Sequence, residues 1–152
     1  MVFYIKEGNI FSIDGVTSYA HGCNCKGAMG CGIAYQFKEK FPKMYNQYKK
    51  LCDIGKFLPG DVFNYKYDNG HIYNLGTQAT WKENAKFEYI ELSLIKMFEL
   101  AKMDQVNKIA LPTIGAGLGG LDWSLVKIII EKVSESYPNI DLYIVEKFKP
   151  DN

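Results

Sequence analysis

Two glycine-rich segments constrain this chain more than any other feature. The first reads Gly22-Cys23-Asn24-Cys25-Lys26-Gly27-Ala28-Met29-Gly30-Cys31-Gly32, and the second Gly115-Ala116-Gly117-Leu118-Gly119-Gly120. Each follows a strand-like run, Thr17 to Cys23 or Lys108 to Thr113, and each precedes a helical pattern. That context places both loops at the carboxyl edge of a sheet, where open α/β folds bind ligands. Successive N–H groups in such a loop, together with a helix N-terminus, form an anion cradle. Two cradles facing one crevice suit a diphosphate with a sugar on each side. Neither loop is a Walker loop, since no Gly-Lys-Ser or Gly-Lys-Thr occurs.

The remaining elements alternate in the same way. Val2 to Lys6 reads as a first strand. Ile33 to Phe41 and Lys43 to Leu51 read as helices, with Pro42 placed to start the second. Pro59-Gly60 marks a turn. Asp61 to Tyr67 and His71 to Leu75 flank Asp68-Asn69-Gly70, a hairpin signal. Phe87 to Met103 is the longest helix, with Ile90, Leu94, Met97, Phe98 and Ala101 on one face. A helix from about Ser124 to Ser136 and a strand from Ile140 to Val145 complete the chain. The pattern predicts an α/β layered fold, its sheet mixed because the hairpin is antiparallel.

The length of 152 residues fits one domain spanning 1–152. The net charge of +1 argues against a protein that coats duplex nucleic acid, but leaves room for a small anion held by backbone N–H groups. The N-terminus shows no signal-peptide pattern, and no apolar run reaches membrane-spanning length. We therefore expect a cytoplasmic monomer with no membrane partner and reduced thiols at Cys23, Cys25, Cys31 and Cys52. The Cys-x-Cys spacing invites a metal, but a zinc site needs about four ligands and the chain has two histidines, so we expect no metal and no cofactor.

With these loops in place, the chain resembles the macrodomain family over nearly its whole length. The resemblance rests on Glu7-Gly8-Asn9-Ile10, on His21 to Cys25 leading through Gly30-Cys31-Gly32-Ile33-Ala34 to Phe41-Pro42, and on Leu111 to Trp123. It implies a three-layer α/β/α fold with a central mixed sheet, and binding of ADP-ribose or an ADP-ribosylated substrate, protein or nucleic acid. The first loop is similar to the ADP-ribose 1''-phosphate phosphatase branch, and Thr77 to Met97 with the second loop to the terminal ADP-ribose protein glycohydrolase. In that glycohydrolase a lysine attacks the sugar and an aspartate assists. The matching positions here are Gln78 and Gly119.

The resemblance also implies the roles. Asn9 and Ile10 face adenine, Gly30, Cys31, Gly32 and Ile33 face the diphosphate with Thr113, Ile114, Gly115, Ala116, Gly117 and Leu118, and Asn24, Gly27, Thr77 and Gln78 lie near the distal ribose. Asn24 orients a hydroxyl or an attacking water, unless it only caps the backbone. His21 is a candidate acid or base, or a buried structural histidine. Lys26 neutralises phosphate or points to solvent. Trp81 and Lys82 shape the rim. Asp122 reads as a helix cap and Trp123 as core packing. The expected reaction is hydrolysis at the 1'' position of the distal ribose, with Asp/Glu-linked acyl esters first. The alternatives are 1''-phosphate hydrolysis, non-catalytic reading of ADP-ribose, and its removal from nucleic acid.

Overall fold

The computed structural model describes residues 1–152. Six strands form one sheet: β1 (Val2–Ile5), β2 (Tyr19–Asn24), β3 (Val62–Tyr67), β4 (Gly70–Gln78), β5 (Lys108–Leu111) and β6 (Asp141–Val145). Four helices flank it: α1 (Gly32–Lys40), α2 (Pro42–Asp53), α3 (Phe87–Met103) and α4 (Trp123–Ser134). The strand order is β1-β6-β5-β2-β4-β3. Neighbours run parallel except in the β3–β4 hairpin, where Tyr67 pairs with Gly70 across Asp68 and Asn69.

The alternation of side chains along each strand makes three layers. Tyr73 and Leu75, Ile109 and Leu111, and Leu142 and Ile144 enter one core with the buried faces of α3 and α4. The intervening residues Ile72, Ala110 and Val145 enter a second core with Phe37 of α1 and Met44 and Tyr48 of α2. Each large apolar side chain that is fully buried stabilises the fold by roughly 1.5–3 kcal/mol. The α3 face is the one its spacing predicts: Ile90, Leu94, Met97, Phe98 and Ala101 are all buried. Asp122 caps α4 by accepting a hydrogen bond from the Ser124 N–H at 2.9 Å.

Two departures from the sequence pattern matter for the site. β4 continues past Leu75 to Gln78, because Gly76 lets the chain pass close to the residue 58–61 turn. A Cβ there would stand 2.8 Å from the Leu58 carbonyl oxygen, and Gly76 exchanges backbone hydrogen bonds with Gly60 and Asp61. Single turns of 3-10 helix occur at Ile10–Ser12 and Gly117–Gly119. Three-residue turns leave no periodic trace in a sequence. No helix is long and apolar enough to cross a membrane.

Because β2, β4 and β5 are parallel neighbours, their carboxyl ends share one edge. Asn24, Gln78 and Leu111 end these strands, and the two glycine loops leave from adjacent strands.

Candidate active site

The first loop is built around Asn24. Its Oδ1 accepts hydrogen bonds from the backbone N–H groups of Lys26 at 3.0 Å and Ala28 at 3.3 Å, and its Nδ2 donates to the Ala28 carbonyl at 2.8 Å. The residue is 8% exposed. Tyr48 braces it from α2, its hydroxyl 2.7 Å from the Asn24 carbonyl oxygen and 3.1 Å from Oδ1. Tyr45 donates to the Gly27 carbonyl at 2.9 Å, and Gly27 takes the left-handed conformation with φ +85°. Lys26 is exposed.

Beyond this knot the chain runs through Gly30, Cys31 and Gly32 into α1. Gly30, Cys31, Gly32 and Ile33 line a concavity of about 440 Å³ with Tyr35, Gln36 and Phe148. The first N–H groups of α1 have no carbonyl four residues back, so they remain as donors at this rim. The second loop closes against the first. A Cβ added at Gly32 would stand 3.4 Å from Leu118 Cδ1, so the two loops approach closely at this crossing. Leu118 is 73% exposed at that crossing. Ile114 is buried, Thr113 and Ala116 are half-buried, and Gly117 is exposed with φ +62°. At Gly115, with φ +74°, any Cβ would collide with Cδ1 of Ile90.

These placements decide between the readings at His21 and bear on Thr77, Asn9 and Ile10. His21 is wholly buried within β2, its Nε2 2.6 Å from Asn74 Oδ1 and its ring stacked on Phe37 at 4.0 Å. Asn74 Nδ2 donates to the Phe63 carbonyl, which leaves Oδ1 as the acceptor for His21. Burial pushes the His21 pKa down to about 4, against the Asn74 hydrogen bond. A neutral ring sealed in the core does not suit an acid or base serving the cleft. Thr77 is buried against Gly22 rather than open to the cleft. Asn9 caps the turn that follows it, its Oδ1 accepting from the Phe11 N–H at 2.9 Å. Ile10 is wholly buried, leaving only its backbone for a ligand.

Gln78 holds the loop beyond β4. Its Nε2 donates to the Glu83 carbonyl at 2.8 Å and the Thr80 carbonyl at 3.2 Å. Both amide hydrogens are committed, so the side-chain oxygen is held in a fixed direction. The loop carries Trp81, 62% exposed, with Lys82 Nζ 5.0 Å from its ring centroid. It meets the second glycine loop where the Ala85 N–H donates to the Gly119 carbonyl.

No motif pointed to Phe148. It stands in the concavity wall because Gly8 pairs with it in a short parallel bridge, which also sets Asn9 one residue away. Tyr48 was hidden as an ordinary apolar position of α2. Cys23 and Cys25 are buried and their thiols are pushed up by desolvation, Cys25 to about 12, whereas Cys31 is exposed at the rim. Trp123 packs at the edge of the core and donates to Glu146 at 2.8 Å.

Known proteins share this arrangement. The DNA ADP-ribosyl glycohydrolase of Mycobacterium tuberculosis is 35% identical over 127 residues, covering 80% of this chain and 36% of that protein. The ADP-ribose glycohydrolase OARD1 of Homo sapiens is 33% identical over 138 residues, covering 89% of this chain and 85% of that protein. The macrodomain of Mycobacterium tuberculosis DarG superposes with a TM-score of 0.87 at 31% identity, covering 99% of each chain. The chain spans 36–40% of the length of the DNA ADP-ribosyl glycohydrolases it matches in Mycobacterium and Thermus. A family model described as Macro domain matches residues 20–130. The chain belongs to the Macro domain family.

Proposed function

We propose that this chain binds ADP-ribose across its two glycine loops and hydrolyses the bond joining the distal ribose to a nucleic-acid base. The carrying observation is the close approach of Leu118 to Gly32, which brings the backbone from Gly30 to Ile33 beside that from Ile114 to Leu118. Such a strip neutralises a diphosphate with N–H groups and a helix N-terminus, so the near-zero net charge is no obstacle. Asn9, Ile10 and Phe148 stand at the adenine end, and Asn24, Gly27 and Gln78 at the distal end.

The nucleic-acid linkage moves ahead of the acyl ester for two reasons. Relatives covering most of this chain are named DNA ADP-ribosyl glycohydrolases. Trp81 also offers an exposed aromatic ring beside Lys82, the combination that stacks a base and attracts a backbone phosphate. Hydrolysis then rests on positioning. Gln78 offers an amide oxygen fixed by its two donated hydrogen bonds, suited to orient a water. Asn24 acts as a positioning residue that shapes the loop under the ribose. No covalent lysine adduct forms, because Gln78 occupies the lysine's place.

A second reading, a binder without turnover, is favoured by the absence of both the lysine and the aspartate. The test is release of ADP-ribose, followed by mass spectrometry, from an ADP-ribosylated single-stranded oligonucleotide, a glutamate-linked protein and ADP-ribose 1''-phosphate. Release fastest from the oligonucleotide supports the proposal. Tight ADP-ribose binding with no release from any of the three replaces it with the binder.

A further inference from the structure

The opposite edge of the sheet carries a second polar concavity, of about 340 Å³, with Thr17, Lys66, His71, Asp104 and Lys108 in its wall. It lies at the amino end of β4, roughly 25 Å along that strand from Gln78.

One wall is an ordered polar network. Asp104 Oδ2 accepts from Asn64 Nδ2 at 2.8 Å and from the Tyr73 hydroxyl at 2.9 Å. His71 Nδ1 lies 2.8 Å from Asn64 Oδ1 and 3.4 Å from Asp104 Oδ2. Since the Asn64 amide group faces the carboxylate, its oxygen faces the imidazole and takes the Nδ1 hydrogen. That donation fixes the ring, whose side chain is 12% exposed, and leaves Nε2 with no partner in the protein. Nε2 is not buried either, since Ser134 Oγ is the only buried side-chain nitrogen or oxygen without a hydrogen bond. It is therefore accessible at the concavity that His71 lines.

The same concavity carries unpaired positive charge. Lys108 is half-buried, yet its ammonium forms no ion pair, and Lys66 forms none. Asp141, opposite Lys108 on β6, is engaged instead by the Met1 amino group at 3.2 Å. Gln105, also in this wall, is the only non-glycine residue with positive φ, at 58°. It ends α3 in a conformation that glycine holds at less cost.

We propose that this concavity is a second binding site, for the phosphate group of a small phosphorylated molecule, held by Lys66 and Lys108 beside the open Nε2 of His71. Asp104 and Tyr73 lie against the ring, Lys66 is its cross-strand partner on β3, and Asp68 and Lys108 also line the concavity. Asp104 is engaged by Asn64 and Tyr73, and exposed Asp68 is screened by water, so a phosphate meets two ammonium groups that form no ion pair. The site is separate from the ADP-ribose cleft and does not rest on its assignment.

The two histidines make the test direct. Their ring signals are followed by NMR during titration with inorganic phosphate at constant pH and at constant ionic strength held with chloride. The expected result is a saturable shift of His71 while His21, sealed in the core, stays fixed. A Lys66→Gln, Lys108→Gln double variant weakens that binding by about tenfold or more. Occupancy of the distant cleft leaves His71 unmoved. Absence of a saturable His71 shift, or an unchanged affinity in the double variant, overturns the site. Ribose 5-phosphate and a short single-stranded oligonucleotide are then compared. Tighter binding by the oligonucleotide overturns the small-molecule assignment in favour of a nucleic-acid backbone.

Discussion

The Tyr48 hydroxyl donates to the Asn24 carbonyl oxygen at 2.7 Å and lies 3.1 Å from Asn24 Oδ1, joining the second helix to the base of the first glycine loop. Both residues are buried, so the bond is shielded from competing water. Tyr48→Phe keeps the ring packing and removes only this brace. We expect a stability loss of about 1–2 kcal/mol and ADP-ribose binding weaker by several-fold, measured by chemical unfolding and calorimetry. Unchanged binding would separate the brace from the cleft.

Two glycines distinguish fold from ligand. Gly115 needs its left-handed φ and has Ile90 against it, so Gly115→Ala should cost about 2–4 kcal/mol of stability. At Gly30 the φ is not positive, and an added Cβ would meet nothing within 4 Å. Gly30→Glu should change stability by less than about 0.5 kcal/mol, yet set a carboxylate against the diphosphate and weaken ADP-ribose about tenfold or more. Thermal unfolding and calorimetry on the two variants read this contrast.

Gln78 makes a prediction about the loop it holds. Gln78→Leu leaves the Glu83 and Thr80 carbonyls without their donor. In a Trp123→Phe background, Trp81 fluorescence anisotropy should fall as that loop loosens. Turnover should drop about tenfold with stability lowered by about 1 kcal/mol or less. Turnover equal to the parent would remove Gln78 from the site.

His21 sets an acid limit on stability. Its pKa falls from the ordinary 6.5 to about 4 on folding, so the unfolded chain takes up a proton that the folded core refuses. Stability is complete above the unfolded value and declines as the pH falls from 6.5 toward 4. The loss at about pH 5 should be about 2 kcal/mol. A His21→Gln variant should lose that slope, read by urea unfolding across the range.

Periodicity sufficed wherever one face of an element is buried. The five apolar positions of α3 are an instance, and Asp122 declares its cap by residue type alone. The loops were legible because glycine is demanded by backbone geometry at Gly27, Gly32, Gly115 and Gly117. What the sequence hid depends on contacts between distant segments. Phe148 reaches the concavity through a bridge to Gly8, and His21 is withdrawn from it by Asn74, fifty-three residues away. The hydrogen bonds of Asn24 tie a residue that reads as a ligand contact into the framework of its own loop.

The most direct measurement is the rate of ADP-ribose release from an ADP-ribosylated single-stranded oligonucleotide, with Gly30→Glu as the control. The account predicts catalytic release by the parent, suppressed about tenfold or more in the variant. Multiple turnovers that are insensitive to Gly30→Glu, or no release despite saturating binding, would contradict it.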